Sequence, residues 1–281
     1  MRWLIALLLV ATTASAEEEQ RSDAIDAYLE SDFTLTDPTR FSRSGGATFE
    51  WVNLSGGEGD LYFLHGEVSQ ALGADDEFGF LLDVPVGYSD TNTVGSNFGL
   101  GDILLRLAWS PGKSFGSQFV GWALQFDIVF PTGNAGDALG GGDWIFAPAG
   151  IFKFRWGKAF VYLTARWLWA DSVRPAGVRW FNVPGLDNVP NTIGTTRLNE
   201  LNVEASFVWE FDRKKGPIHW FAITIDFAQN FAGEENNLTL LKLRLGRALA
   251  DTVSVDLDLW APLFGERTMD LTFRLALVWE F

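Results

Sequence analysis

The stretch Met269-Asp270-Leu271-Thr272-Phe273-Arg274-Leu275-Ala276-Leu277-Val278-Trp279-Glu280-Phe281 decides the fold. Met269, Leu271, Phe273, Leu275, Leu277, Trp279 and Phe281 alternate with Asp270, Thr272, Arg274, Ala276, Val278 and Glu280. Successive residues of a strand face opposite sides, so the segment predicts one continuous apolar face and one largely polar face. The same period recurs upstream. Val120, Trp122, Leu124, Phe126, Ile128 and Phe130 share a face, with Gln125 and Asp127 on the other. Leu201, Val203, Ala205, Phe207, Trp209 and Phe211 oppose Glu200, Asn202, Glu204, Ser206 and Glu210. Phe221, Ile223, Ile225 and Phe227 oppose Thr224 and Asp226.

These strands run about 11–15 residues, roughly twice the usual length in a globular sheet. That length suits a tilted crossing of a bilayer, and the face with the large side chains is the one that lipid would touch. About twelve such strands are expected, near 43–55, 61–72, 77–89, 98–109, 118–131, 143–156, 159–171, 197–211, 217–230, 237–248, 252–262 and 268–281. Short links such as Gly73–Asp76, Gly157-Lys158 and Asp212–Gly216 alternate with longer ones such as Asp90–Asn97, Thr132–Gly142 and Asp171–Thr196. Short periplasmic turns and long outer loops are the habit of bacterial outer-membrane barrels. The expected fold is therefore all-β: a transmembrane antiparallel up-and-down barrel over residues 43–281. Trp109, Trp156, Trp209, Trp279 and Phe281 fall at one set of strand ends, and Tyr88, Phe130, Trp144, Trp169 and Phe227 at the other. Two aromatic girdles are expected at the bilayer surfaces. An aromatic last strand ending in Phe281 also resembles the signal read by the outer-membrane assembly machinery.

Composition narrows the function. The chain has 281 residues, net charge -15, 47% hydrophobic residues and no cysteine. Disulfide scaffolds and cysteine-ligated metals are excluded. So acidic a chain is no nucleic-acid binder, which needs a basic face. Residues 1–16, with Arg2, the apolar run Trp3–Ala11 and Ala14-Ser15-Ala16, read as a secretory signal peptide cleaved after Ala16. Export to the outer membrane of a Gram-negative bacterium follows, with membrane lipid as a partner. Residues 17–42 do not alternate; Asp23–Ser31 reads as one short helix, and the segment stays in the periplasm or enters the lumen as a plug.

Function is sought in the lumen. Inward bases are expected at Arg106, Lys153, Arg155, Arg166, Lys242, Arg244 and Arg274. Inward acids are expected at Glu67, Asp83, Asp102, Asp127, Glu200, Glu204, Asp226, Asp256, Asp258 and Asp270. Folding symmetrically about the Ala248–Asp251 turn sets Lys242 opposite Asp258 and Arg244 opposite Asp256. The Phe264–Thr268 loop sets Asp256 opposite Arg274, and the other loops bring Asp226 near Lys242 and Asp83 near Arg106. Such pairs form either an ionic ladder bracing a closed lumen or the charged constriction of a solute path. Twelve strands lie between the filled eight-stranded barrel and the open porin, which favours a narrow path. Pro175, Trp180, Phe181, Pro184 and Pro190 mark 171–196 as a lid or constriction. The Gly-rich link Gly133–Asp143 reads as a flexible outer loop, with too few carboxylates for a calcium site. Catalysis is not expected: His65 and Ser69 share a face but sit roughly 13 Å apart along the strand. No cofactor or metal centre is implied.

Phe98-Gly99-Leu100-Gly101-Asp102, the Asp83-Val84-Pro85 stretch and Phe130-Pro131-Thr132-Gly133 resemble the outer-membrane family named for the meta-pathway of phenol degradation. That resemblance covers most of residues 60–160. It implies a barrel that transports aromatic or other small hydrophobic compounds, so a small-molecule solute is the expected partner.

Overall fold

A computed structural model describes residues 39, 41–73, 76–92, 94–111, 119–173, 196–211, 218–231, 236–250, 252–265 and 269–281. The predicted signal peptide, the helix Asp23–Ser31 and the aromatic tip of the 171–196 loop lie outside the described residues. So do the links around 74–75, 112–118 and 212–217.

Among the described residues, thirteen strands form one closed antiparallel sheet: β1 (Ser44–Leu54), β2 (Gly59–Leu72), β3 (Phe78–Thr91), β4 (Gly95–Leu100), β5 (Ile103–Trp109), β6 (Phe119–Phe130), β7 (Ile145–Trp156), β8 (Ala159–Val173), β9 (Thr196–Glu210), β10 (Trp220–Asn230), β11 (Asn236–Ala250), β12 (Val253–Gly265) and β13 (Met269–Glu280). Neighbours in sequence are neighbours in space, and β1 pairs with β13 to close the ring. Both β4 and β5 pair with β3, so together they make one crossing and the barrel has twelve. The expected strand 98–109 is therefore broken. Gly101 and Asp102 leave the ladder, β5 continues against β6, and β4 stands above it paired with β3 alone. At the two-residue link between β7 and β8, Gly157 has φ 60°, a left-handed value that costs glycine least.

Alternation places the side chains as expected. Leu64, Leu72, Leu124, Phe152, Ile225 and Leu275 are exposed on the outside. Asp83, Asp127, Asp226 and Asp258 are buried inside. Outside rings also pack at both rims: Phe146 stacks with Phe126, Trp144 and Trp169 at one end, and Trp109 packs on Phe78 and Trp122 at the other. The rim holding the starts of β1 and the end of β13 is called the terminal end below, and the opposite rim the distal end.

One expected face is corrected near the start of β13. Asn53 pairs with Leu271 but Leu54 with Met269, so Asp270 is an extra residue in a bulge. Such a bulge flips what precedes it. Met269 is buried in an inner apolar cluster instead of facing lipid, and Asp270 is exposed instead of lining the lumen.

Candidate functional site

Inside the barrel three apolar clusters bracket a charged belt. Near the distal end, Leu104, Val129, Ile145, Ala147, Leu168, Ala170 and Leu198 cover the inner wall from β5 to β9. Across from them, Val52, Leu61, Phe63, Leu238, Leu240 and Met269 form a second cluster. Toward the terminal end, Ala123, Ile151, Phe160, Tyr162, Val208, Trp220 and Ala222 form the third. Trp220 fits only because Gly246 opposes it; a Cβ there would lie 1.9 Å from the indole. Lys153 sits 4.6 Å over the Phe160 ring and Arg155 5.6 Å from it.

The belt runs most of the way round the wall between these patches. Arg106 holds Asp127 through two hydrogen bonds, at 2.7 and 2.9 Å, with Arg166 3.8 Å from the same carboxylate. Lys242 joins Glu204 at 3.0 Å and Asp226 at 2.5 Å, and Asn202 donates to Asp226 at 2.6 Å. Arg244 pairs with Asp258 through both carboxylate oxygens. Arg274 lies 3.2 Å from Glu50, and both it and Lys242 lie over the Trp260 ring. His65 lies between Asp83, at 3.2 Å, and Glu50, at 3.8 Å.

Several expected pairs shift. Arg244 opposes Asp258, not Asp256; Lys242 opposes Trp260, not Asp258; Asp258, not Asp256, opposes Arg274. The reason is local. The turn falls between Ala250 and Val253 and not at Ala248–Asp251, and even after a one-residue shift between Ala248 and Ala250 the β11–β12 pairing stays two residues from the symmetric fold. Asp83 opposes Leu104 and turns to His65, which leaves Arg106 to Asp127. Asp226 and Lys242 do meet. Asp256, only 4% exposed, is left with Oδ1 lacking any hydrogen-bond partner.

The Gly-rich link after β6 is not a loose outer loop. It folds into the distal mouth and is latched by Asp102. Asp102 is buried, and its two oxygens accept the backbone N–H groups of Gly133, at 2.9 Å, and Gly141, at 2.5 Å. Thr132 bridges the broken crossing, its Oγ1 donating to Gly101 O and accepting from Ile103 N–H. Ser89 donates to Asp137 O at 2.7 Å. Leu139, 1% exposed, then joins the Phe63 cluster: the Phe63 ring fills the space a Cβ on Gly87 would need, and Leu139 lies 3.2 Å from the place of a Cβ on Gly99. Gly99 and Gly133, one in each glycine-bearing sequence motif, thus admit the latched loop.

At the terminal end the chain turns into the mouth just before β1. The Phe41 ring occupies the space a Cβ on Gly79 would need, 2.4 Å away, and Thr39 Oγ1 lies 3.7 Å from that of Gly121. Sequence reading missed Glu50, Trp220, Trp260 and Leu139, and weighed His65 only as a catalytic base beside Ser69. Glu50 had a signal: it is the one charged residue of β1 and shares its face with Thr48 and Val52.

Neither a protein-family model nor a curated protein matches the chain. Among solved structures, an outer-membrane channel from Pseudomonas putida F1 is similar at TM-score 0.63 and 15% identity, over 86% of this chain and 96% of that one. The NanC porin is similar at TM-score 0.51 and 8% identity, over 85% of this chain and 100% of that one. The chain has the outer-membrane barrel fold. At such identities the likeness reaches the fold and no further, so the roles of the lumen residues rest on their own chemistry.

Proposed function

We propose that this barrel is an outer-membrane channel, not an enzyme, for passive uptake of small solutes, with aromatic and other hydrophobic compounds among them. The observation that carries this reading is the sequence of surfaces along the lumen. A solute meets apolar patches at both ends and a belt of fixed charges between them. Apolar patches hold a hydrophobic body, and fixed polar groups set orientation and selection. In this reading the terminal end faces the periplasm, residues 1–16 are removed after Ala16, and 17–42 lie at the periplasmic mouth. Membrane lipid surrounds the barrel, and the assembly machinery inserts it. The resemblance to the phenol-degradation family supports the same solute class.

Liposome swelling with the refolded protein tests this. Arabinose, benzoate and a neutral aromatic alcohol are compared, with and without residues 17–42. Swelling is expected, faster for the aromatic solutes than for a sugar of equal size. No swelling from either form would replace the channel by a structural barrel closed through its ionic belt.

A further inference from the structure

Before β1 the chain follows a path across the inner wall, and that path points at one part of it. Ser69 of β2 donates its hydroxyl to Ser42 O at 2.8 Å. Phe41 fills the space in front of Gly79 on β3, and Thr39, 7% exposed, stands at Gly121 on β6. Residues 42 back to 39 thus sweep the terminal end from β2 to β6, away from β1. A segment that hung below the rim would reach neither glycine.

Gly121 is directly opposed by Lys153 of β7, and Arg155 lies two residues nearer the rim. Both are half-buried, and both lie over the Phe160 ring. Arg155 is steadied by donating its Nε–H to Gly157 O at 3.1 Å. Within β6, β7 and β8 the nearest carboxylate is Asp127, about 20 Å deeper along β6 and held by Arg106. This corner of the mouth is cationic, on an aromatic floor.

The sequence that arrives there is its complement. Residues 17–38 carry eight carboxylates and one cation, Arg21, together with Ile25, Tyr28, Leu29, Phe33 and Leu35. Asp37 precedes Thr39 by two residues, about 7 Å of extended chain, and opposed strand residues stand about 5 Å apart, so its carboxylate comes within reach of Lys153. Asp32 and Glu30 have chain enough to reach Arg155. Each such contact at a wet mouth is modest, and several on one segment add together.

We propose that Lys153, Arg155 and the Phe160 ring form the dock for residues 17–38 of the same chain, which lie across the terminal end as an acidic plug. This deepens the channel reading, on which it rests for its consequence: displacing the segment opens the lumen.

The chain has no cysteine, so a single introduced one reports on the segment. In the refolded full-length protein carrying Ser31→Cys, the rate of reaction with a polymer-bearing maleimide is compared with that of the urea-unfolded chain. The docked cysteine should react about tenfold more slowly, and Lys153→Glu with Arg155→Glu should abolish most of that protection. Adding Asp32→Lys and Asp37→Lys to the reversed pair should restore it. High potassium chloride should speed the reaction on the natural wall, because exposed charges are screened. Equal rates in the folded and unfolded chains overturn the dock, as does protection that neither charge reversal nor salt relieves. Benzoate that speeds labelling where charge reversal does not would give the surface to an anionic solute instead. Should the reversed pair fail to refold, the salt response on the natural wall decides. Arabinose swelling, measured in parallel, separates the two readings: protection without swelling in any form keeps the dock and removes the channel, and swelling without protection does the reverse.

Discussion

Arg106 with Asp127 and Asp256 with its bare Oδ1 stand in one barrel, both facing inward, and they are opposite solutions to a buried charge. In the first, two parallel hydrogen bonds join neighbouring strands β5 and β6 at directly opposed positions. In the second, a two-residue displacement of the β11–β12 pairing hands Arg244 to Asp258 and leaves Asp256 opposite Gly246. The difference teaches that charge sign along a strand is not enough to assign a brace. A carboxylate braces the wall only where register brings a base within reach, directly opposed as Asp127 is or diagonally as Asp226 is.

The largest effect should come from breaking the paired side. Arg106→Ala leaves Asp127, 0% exposed, without its bidentate partner, and should cost about 3–5 kcal/mol, read as a lower urea midpoint for unfolding from detergent. An unchanged midpoint would show that the belt carries no structural weight. Next comes the latched loop. Leu139→Ala empties a buried site beside Phe63 and should cost about 2–3 kcal/mol, with faster arabinose swelling as the loop loosens in the mouth. A smaller loss is expected of Lys153→Ala, which removes a cation from the Phe160 and Tyr162 rings; about 1 kcal/mol should appear in the same unfolding assay. The unpaired side should respond with the opposite sign. Asp256→Asn, removing a buried charge whose Oδ1 has no partner, should leave the urea midpoint unchanged or raise it, by up to about 1 kcal/mol. If Asp256→Asn destabilised as much as Arg106→Ala, the distinction between the two kinds of carboxylate would fall.

The barrel was legible because alternation is a property of each strand alone. Leu271 to Phe281 states which face meets lipid without reference to any partner, and so do β6, β9 and β10. Pairing between strands is a property of turns, and one extra residue there moves every partner. The bulge at Asp270 and the turn that falls after Ala250 are such places, and neither has a composition that separates it from the strand around it. That is why the inward charges other than Asp270 were placed on the right face yet matched to the wrong partners around Asp256. Asp102 illustrates a second limit. Its face was legible, but its work is done on backbone N–H groups of Gly133 and Gly141, which carry no side-chain signal. The inward fold of Leu139 followed from the same blindness, since a Gly-rich link between strands gives no sign of where it packs.

The seam between β1 and β13 has a consequence for assembly. Glu50 and Arg274 are directly opposed there, in the middle of a run with unbroken register from Ser44 to Asn53. A slip of one residue would turn Arg274 out into hydrocarbon, and a slip of two would set it against Thr48 or Val52. The two strands that shut the ring thus carry a matched pair that forms only in the native register.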